Sequence, residues 1–80
     1  MPYNELIQLR MNMLGGMNTY VLEQIGDENV TMYWWQEGVP DGDDEDDLRS
    51  IAEDDEQWTH CCIVFNYCVK AELEENERQD

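Results

Sequence analysis

The chain has 80 residues and a formal net charge of −16 at pH 7, because twenty Asp and Glu face only four Lys and Arg. Eighty residues allow one domain with a thin core, and with 41% hydrophobic residues we expect residues 1–80 to fold as a single domain. The charge argues against direct binding to nucleic acid or to an anionic membrane, since phosphate contacts need Lys and Arg.

The three cysteines make a poor disulfide framework, because the number is odd and Cys61 and Cys62 are adjacent. Reduced thiols in the cytosol are the expectation. No apolar run approaches the roughly 18 residues of a membrane helix, and the first residues lack the basic-then-apolar layout of a signal peptide. The sequence therefore predicts a cytoplasmic protein without a membrane partner.

The first predicted element is a helix over residues 3–14. Leu6, Leu9, Met13 and Leu14, with Ile7 beside them, recur at the spacing of one helix face. Asn4 can cap the start, and the Gly-Gly pair at 15–16 offers the left-handed conformation that ends many helices. We expect this helix to cover a sheet.

Two strands are predicted next, over residues 17–25 and 30–36, because both segments are rich in β-branched and aromatic side chains. The residues at 26–29 have turn chemistry, which makes the pair a hairpin. Trp34 and Trp35 then point to opposite faces. One indole then belongs in the core, and the other can be partly exposed, where it could contact a partner. Packing of both indoles is the favoured alternative, because large aromatic side chains dominate thin cores.

A short acidic helix is predicted over residues 43–56, after a loop that contains Pro40. Leu48, Ile51 and Ala52 form its apolar stripe. Carboxylates at 43–47 suit its first turn, whereas those at 53–56 fall at the end where the helix dipole penalises them. If residues 53–56 end the helix, their carboxylates do not stabilise it. We therefore infer that this second cluster contacts something outside the chain.

A third strand is predicted over residues 58–69, where apolar side chains alternate on both faces. Residues 71–80 either continue as a short helix or fray as an acidic tail. The element order predicts an α+β domain. It comprises an N-terminal helix, an antiparallel sheet of about three strands, and a short acidic helix between strands 2 and 3.

Ten of the sixteen residues at 41–56 are acidic, and this density of like charge destabilises a compact chain unless something outside balances it. We therefore interpret the stretch as a binding surface for a basic protein, and a solubilising surface without a partner stays open as the alternative. The predicted partner-binding residues are Asp41, Asp43, Asp44, Glu45, Asp46, Asp47, Glu53, Asp54, Asp55 and Glu56, together with Trp35.

Metal binding is the first competing interpretation. An EF-hand loop needs Gly at its sixth position and a bidentate Glu at its twelfth, and no register from Asp41 or Asp43 satisfies both. Cys62 and Cys68 would lie roughly 20 Å apart on a strand, too far to share one zinc ion. We predict no dedicated metal site and no cofactor. A regulatory module that orders around Ca²⁺ or Mg²⁺ nevertheless stays open.

Catalysis is not predicted. The chain has one His, no Gly-rich phosphate loop and no nucleophile elbow, and eighty residues leave little room for a pocket that excludes water. A third interpretation, an acidic chaperone or antitoxin-like partner for one basic protein, stays open beside the first. The predicted oligomeric state is a monomer, or a weak dimer through an edge strand.

In its length, its N-terminal helix, its short sheet and its acidic stretches at 41–47 and 53–56, the chain resembles the small acidic inhibitors that phages make against host nucleic-acid machinery. These include DNA-mimic anti-restriction proteins and anti-CRISPR proteins. The resemblance implies a stoichiometric blocker in the groove where a CRISPR effector nuclease holds target DNA, especially where the protospacer-adjacent motif is bound. The residues that would meet the Arg and Lys side chains there are Asp43, Asp44, Asp46, Asp47, Asp54 and Asp55.

Overall fold

A computed structural model of the protein describes residues 1–40, 42 and 44–79. Of residues 78 and 79 it describes only the backbone. Helix α1 spans Tyr3–Thr19 and continues without a break into a π-helical segment, Tyr20–Ile25. Helices α2 (Glu28–Gln36), α3 (Glu45–Glu53) and α4 (Asp55–Gln79) follow. The described part of the chain contains no β-strand, so the predicted α+β fold with a three-stranded sheet is wrong.

Helix α1 is longer than predicted, because the Gly-Gly pair at 15–16 lies inside it and does not end it. Ile7, Met11 and Leu14 are buried at helical spacing, and Val21 of the π-helical segment extends the same stripe. Leu9 and Met13, which were expected on the buried face, are each 44% exposed. The apolar stripe is therefore rotated from the predicted one, and it extends further along the chain, to Val21.

The predicted hairpin is a helix–helix corner. Gly26 adopts a left-handed φ of 63°, which ends the π-helical segment, and its N–H donates to the Val21 carbonyl at 3.3 Å. The Asp27 carboxylate then accepts from the N–H groups of Asn29 (2.8 Å) and Val30 (3.1 Å) and caps α2. The residues expected to form a β-turn thus end one helix and begin the next.

The third predicted strand is the middle of α4. Cys61, Val64 and Cys68 are buried at the three- and four-residue spacing of a helix, and Phe65 packs against them. Ile63 and Tyr67, predicted on a covered strand face, are 61% and 52% exposed. A run that is apolar at nearly every position fits both the two-residue period of a strand and the 3.6-residue period of a helix. Its length of twelve residues favours the helix. Residues 71–79 continue α4 as helix.

The predicted acidic helix is confirmed in type and apolar stripe, since Leu48, Ile51 and Ala52 are all buried in α3. Its bounds differ, because Asp54 has extended backbone (ψ of 106°) and separates α3 from α4. The predicted helix therefore ends earlier, at Glu53, and a second helix, α4, begins at Asp55 and runs on through the range predicted as a strand.

The four helices pack into one elongated body of 45 × 22 × 19 Å. α3 packs against both α1 and α4, while α2 packs against the π-helical segment and α4. Trp34 is fully buried at the centre, where its ring lies edge-on to Phe65 at 6.3 Å between centroids. None of the helices in the described residues combines the length and the apolar character needed to cross a membrane.

Candidate functional site

The first acidic cluster forms the beginning of α3. The Asp44 carboxylate accepts from the backbone N–H groups of Asp46 (2.9 Å) and Asp47 (3.2 Å), so it caps the helix. Glu45, Asp46 and Asp47 occupy the first turn, where the positive end of the helix dipole favours carboxylates. This placement agrees with the prediction for these residues.

The second cluster lies differently from the prediction. Asp54 caps α4, because its carboxylate accepts from the backbone N–H of Gln57 at 3.0 Å and from the Gln57 side-chain amide at 3.2 Å. These hydrogen bonds lower the pKa of Asp54. Asp55 and Glu56 form the first turn of α4, where the dipole stabilises them. Local stability therefore accounts for Asp54, Asp55 and Glu56, and for these three residues the prediction of an unfavourable dipole was wrong. Glu53 ends α3, where the dipole penalises it as predicted.

Arg10 ties helix α1 to the junction between the two clusters. Its guanidinium pairs with Asp55 at 2.7 Å, donates to the Ala52 carbonyl at 3.1 Å, and lies 5.4 Å from the centre of the Trp58 ring. The Arg10 side chain is only 16% exposed, whereas the Asp55 side chain is 88% exposed. Asp55 thus combines an internal contact with a surface position.

Arg49 is the second cation near the clusters. It lies 3.7 Å from both Glu45 and Glu53, one helical turn away on either side. Exposed pairs of this kind contribute little to stability, about 0.3–0.5 kcal/mol each. Arg49 therefore moderates the charge of α3 without neutralising it.

Eight described carboxylates remain exposed along α3 and the start of α4, against the two guanidinium groups. The predicted site residues Asp41 and Asp43 lie outside the described residues. Those that the structure brings together are Asp44, Glu45, Asp46, Asp47, Glu53, Asp54, Asp55 and Glu56.

Trp35 is the exposed member of the tryptophan pair, at 61%, while Trp34 is buried and donates its indole N–H to Asn18 Oδ1 at 3.0 Å. The structure contradicts the favoured expectation that both indoles pack, and it agrees with the alternative of one buried and one exposed indole. Trp35 lines a surface depression together with Asp47 of the first cluster and Gln57 of α4. The structure therefore joins the predicted aromatic contact residue to the acidic surface.

No family model, curated protein or solved structure matches the chain. What the protein does is therefore inferred from its own residues.

The described residues contain no group of three or more His, Cys, Asp or Glu side chains arranged to hold a metal ion. Cys61 and Cys68 are buried within α4, and Cys62 is half-buried. Burial raises the pKa of Cys61 to about 11, with a smaller contribution from the neighbouring Cys62. Such a thiol is a poor nucleophile near neutral pH.

Sequence reasoning missed a second acidic region at the opposite end of α4. A groove there is lined by Asp27 of the α2 cap and by Glu72, Glu74 and Glu75 of α4. The Tyr20 hydroxyl donates to Glu72 at 2.5 Å across this end of the molecule, and that hydrogen bond raises the pKa of Tyr20. The acidic composition of residues 71–80 was the available signal, but the contact with the α2 cap needs the fold.

Proposed function

We propose that the protein is a non-enzymatic inhibitor that presents its acidic surface to the DNA-binding groove of a basic, nucleic-acid-binding protein. The observation that carries this proposal is a set of eight exposed carboxylates, of which seven lie in the caps and first turns of two successive helices and the eighth, Glu53, ends α3. Because the caps and first turns fix the backbone beneath them, these charges keep a defined arrangement. A mobile acidic loop would not.

The spacing of the charges supports a comparison with DNA. The nine residues of α3 separate the two helix starts by about 14 Å, at about 1.5 Å rise per residue. Duplex DNA carries one charge per about 1.7 Å of axis, or roughly eight charges over that length. The eight carboxylates extend over the somewhat longer stretch from Asp44 to Glu56, so they offer a cationic groove a charge density of the same order as that of DNA.

CRISPR effector nucleases are the partner class that we propose first, on the resemblance to phage inhibitors in length, N-terminal helix and acidic stretches; the short sheet is no longer part of that resemblance. Such an inhibitor would act in the cytoplasm of a bacterial cell, where these nucleases work. Complex formation would be fast and would weaken with salt, because long-range attraction dominates the encounter of oppositely charged surfaces.

The test is competition with target DNA. A panel of guide-loaded CRISPR effector nucleases is mixed with a fluorescent target duplex and increasing amounts of the protein. We expect duplex binding and cleavage by at least one nuclease to fall to background at about one equivalent, and the inhibition to weaken as salt increases.

Two variants that each lose three charges provide the matched comparison. Asp46→Asn/Asp47→Asn/Glu56→Gln should reduce inhibition at least tenfold, whereas Glu74→Gln/Glu75→Gln/Glu77→Gln at the far end should change it little. None of these side chains caps a helix or pairs with Arg10. Equal loss in both variants, or inhibition insensitive to salt, would contradict the proposal. So would the absence of inhibition across the panel.

A further inference from the structure

Trp35 lies where two surface depressions meet. On one side the indole borders a shallow apolar depression with Leu22 and Met32, which are themselves 39% and 47% exposed. On the other side it borders the depression that contains Asp47. The aromatic face is therefore available beside a carboxylate that belongs to the acidic surface.

The Asp47 depression combines three kinds of wall. Trp35 supplies an aromatic surface, Asp47 a charge, and Ser50 and Gln57 neutral polar groups. The remaining lining residues supply apolar backing and a tight turn: Gly38, Val39, Pro40 and Ile51.

Hydrogen bonds of ordinary length fix the backbone turn and the Gln57 side chain beside the depression. Gly38 has a φ of 87°, and its N–H donates to the Trp35 carbonyl at 3.1 Å, which fixes the turn at the end of α2. Val39 is 1% exposed and anchors the chain after that turn. On the opposite wall, Gln57 is held by the Asp54 carboxylate at 3.0 and 3.2 Å. The depression is therefore preorganised.

The same protein already uses an aromatic ring and a carboxylate to hold a guanidinium group. Arg10 lies 5.4 Å from the centre of the Trp58 ring and pairs with Asp55 at 2.7 Å. A planar guanidinium can stack on an indole while donating to a carboxylate, a combination that a Lys ammonium reproduces poorly. Trp35 and Asp47 offer the same two groups toward solvent.

We propose that the depression bordered by Trp35 and Asp47 is a binding subsite for an arginine side chain of the partner protein. The guanidinium stacks on the Trp35 indole and donates to the Asp47 carboxylate, while Ser50 and Gln57 offer further acceptors. This inference rests on the proposed function, because it names the partner side chain that the acidic surface receives. It adds preference for Arg over Lys to what charge alone would give.

The test uses the ¹⁵N-labelled full chain and a defined probe, the peptide acetyl-Gly-Arg-Gly-amide, with acetyl-Gly-Lys-Gly-amide for comparison. Three indole N–H signals can be followed by NMR. We expect the Trp35 signal to move saturably with the Arg peptide, while the signal of buried Trp34 stays in place. The Lys peptide should bind about fivefold more weakly.

Adjacent aspartates provide the control. Asp47→Asn should weaken binding of the Arg peptide about fivefold, whereas Asp46→Asn removes the same charge from the same turn without lining the depression and should change it less than twofold. Trp35→Leu should weaken it about tenfold, followed through the backbone amide signals of Ser50 and Gln57. An unmoved Trp35 signal, equal binding of the two peptides, or equal loss in the two Asn variants would overturn the subsite.

The peptide titration and the nuclease competition fail independently. Peptide binding as expected, without inhibition of any nuclease, would support the arginine subsite and refute the inhibitor role. Inhibition by the wild-type protein with an unmoved Trp35 signal would refute the subsite and leave the acidic surface as the inhibitory feature.

Discussion

Asn18 is the buried polar residue that organises the centre of the molecule. It is 3% exposed, accepts from the Trp34 indole at 3.0 Å, and donates to the Gly42 carbonyl at 3.3 Å. The hydrogen bond between Asn18 and Trp34 explains how the largest side chain of the core can be buried without leaving its N–H unsatisfied. It also links α1 to the segment before the acidic helix α3.

We expect Asn18→Leu to lower the free energy of unfolding by about 1–3 kcal/mol, because the buried Trp34 N–H loses its acceptor. Urea denaturation followed by far-ultraviolet circular dichroism measures the change. Asn12→Leu is the matched control on the exposed side of α1 and should change the free energy by less than about 0.5 kcal/mol. Similar values for the two variants would show that the hydrogen bond to Trp34 contributes little.

Cys61 should make the free energy of unfolding fall as the pH rises above 9. Burial raises its pKa from 9.0 to about 11, so the folded state holds the thiol proton more tightly than the unfolded chain does. The stabilisation is complete below pH 9 and is lost as pH rises towards 11, so the free energy of unfolding should fall through this window. Urea denaturation at pH 8, 9 and 10 should show a smaller fall for Cys61→Ala than for the wild-type chain. Parallel curves would contradict the assignment to this thiol.

At the scale of elements, glycines and aspartates determine where the helices begin and end. Gly26 ends the π-helical segment with a positive φ, whereas the Gly-Gly pair at 15–16 has helical backbone in the middle of α1. Asp27, Asp44 and Asp54 each cap the helix that follows. The difference between the two glycine sites lies in what each position packs against, since tertiary contacts of Leu14 and Met17 hold the helix across the pair.

Alanine substitutions should therefore have opposite effects at the two sites. A Cβ at Gly16 meets nothing within 4 Å, so Gly16→Ala should raise the free energy of unfolding by about 0.5–1 kcal/mol through helix propensity. Gly26→Ala should lower it by about 1 kcal/mol or more, because Ala is strained at a φ of 63°. Thermal denaturation of both variants checks the pair. Destabilisation by Gly16→Ala would show that the helix does not run through this position.

The caps also show how much of the fold could have been predicted. The acidic helix α3 was predicted because Leu48, Ile51 and Ala52 follow a run of carboxylates suited to a first turn. The same logic applied to Asp27 and Asp54 would have begun α2 and α4 correctly. β-branched and aromatic residues favoured strands there, and packing of Trp34 and Val64 into a helical core overrode that preference.

At the scale of the whole molecule, the surplus of negative charge opposes folding while it prepares the surface for a partner. The −16 charge is spread over a body only 45 Å long, with acidic groups at both ends of α4. Self-repulsion on this scale is screened by salt, since the Debye length shortens from about 30 Å at 0.01 M to about 3 Å at 1 M.

Salt should therefore stabilise the free protein while it weakens the complex. Relief of about 1 kcal/mol of repulsion would raise the Tm by about 4–8 °C between 10 mM and 0.5 M NaCl. Differential scanning calorimetry measures the Tm, and the Glu74→Gln/Glu75→Gln/Glu77→Gln variant should show a smaller rise. A Tm that falls with salt would mean that attractive ion pairs, such as Arg10 with Asp55, outweigh the repulsion.

The sequence alone determined the charge and the acidic helix with its buried stripe. These properties follow from composition and from local spacing, which every conformation of the chain shares. The tertiary structure decided that residues 17–25, 28–36 and 58–69 are helical, that most of the second acidic cluster begins a helix, and that Trp35 lies beside Asp47. Each of these properties depends on contacts between residues that are distant in the chain. Such contacts decide whether a segment that fits both the strand period and the helix period becomes a strand or a helix.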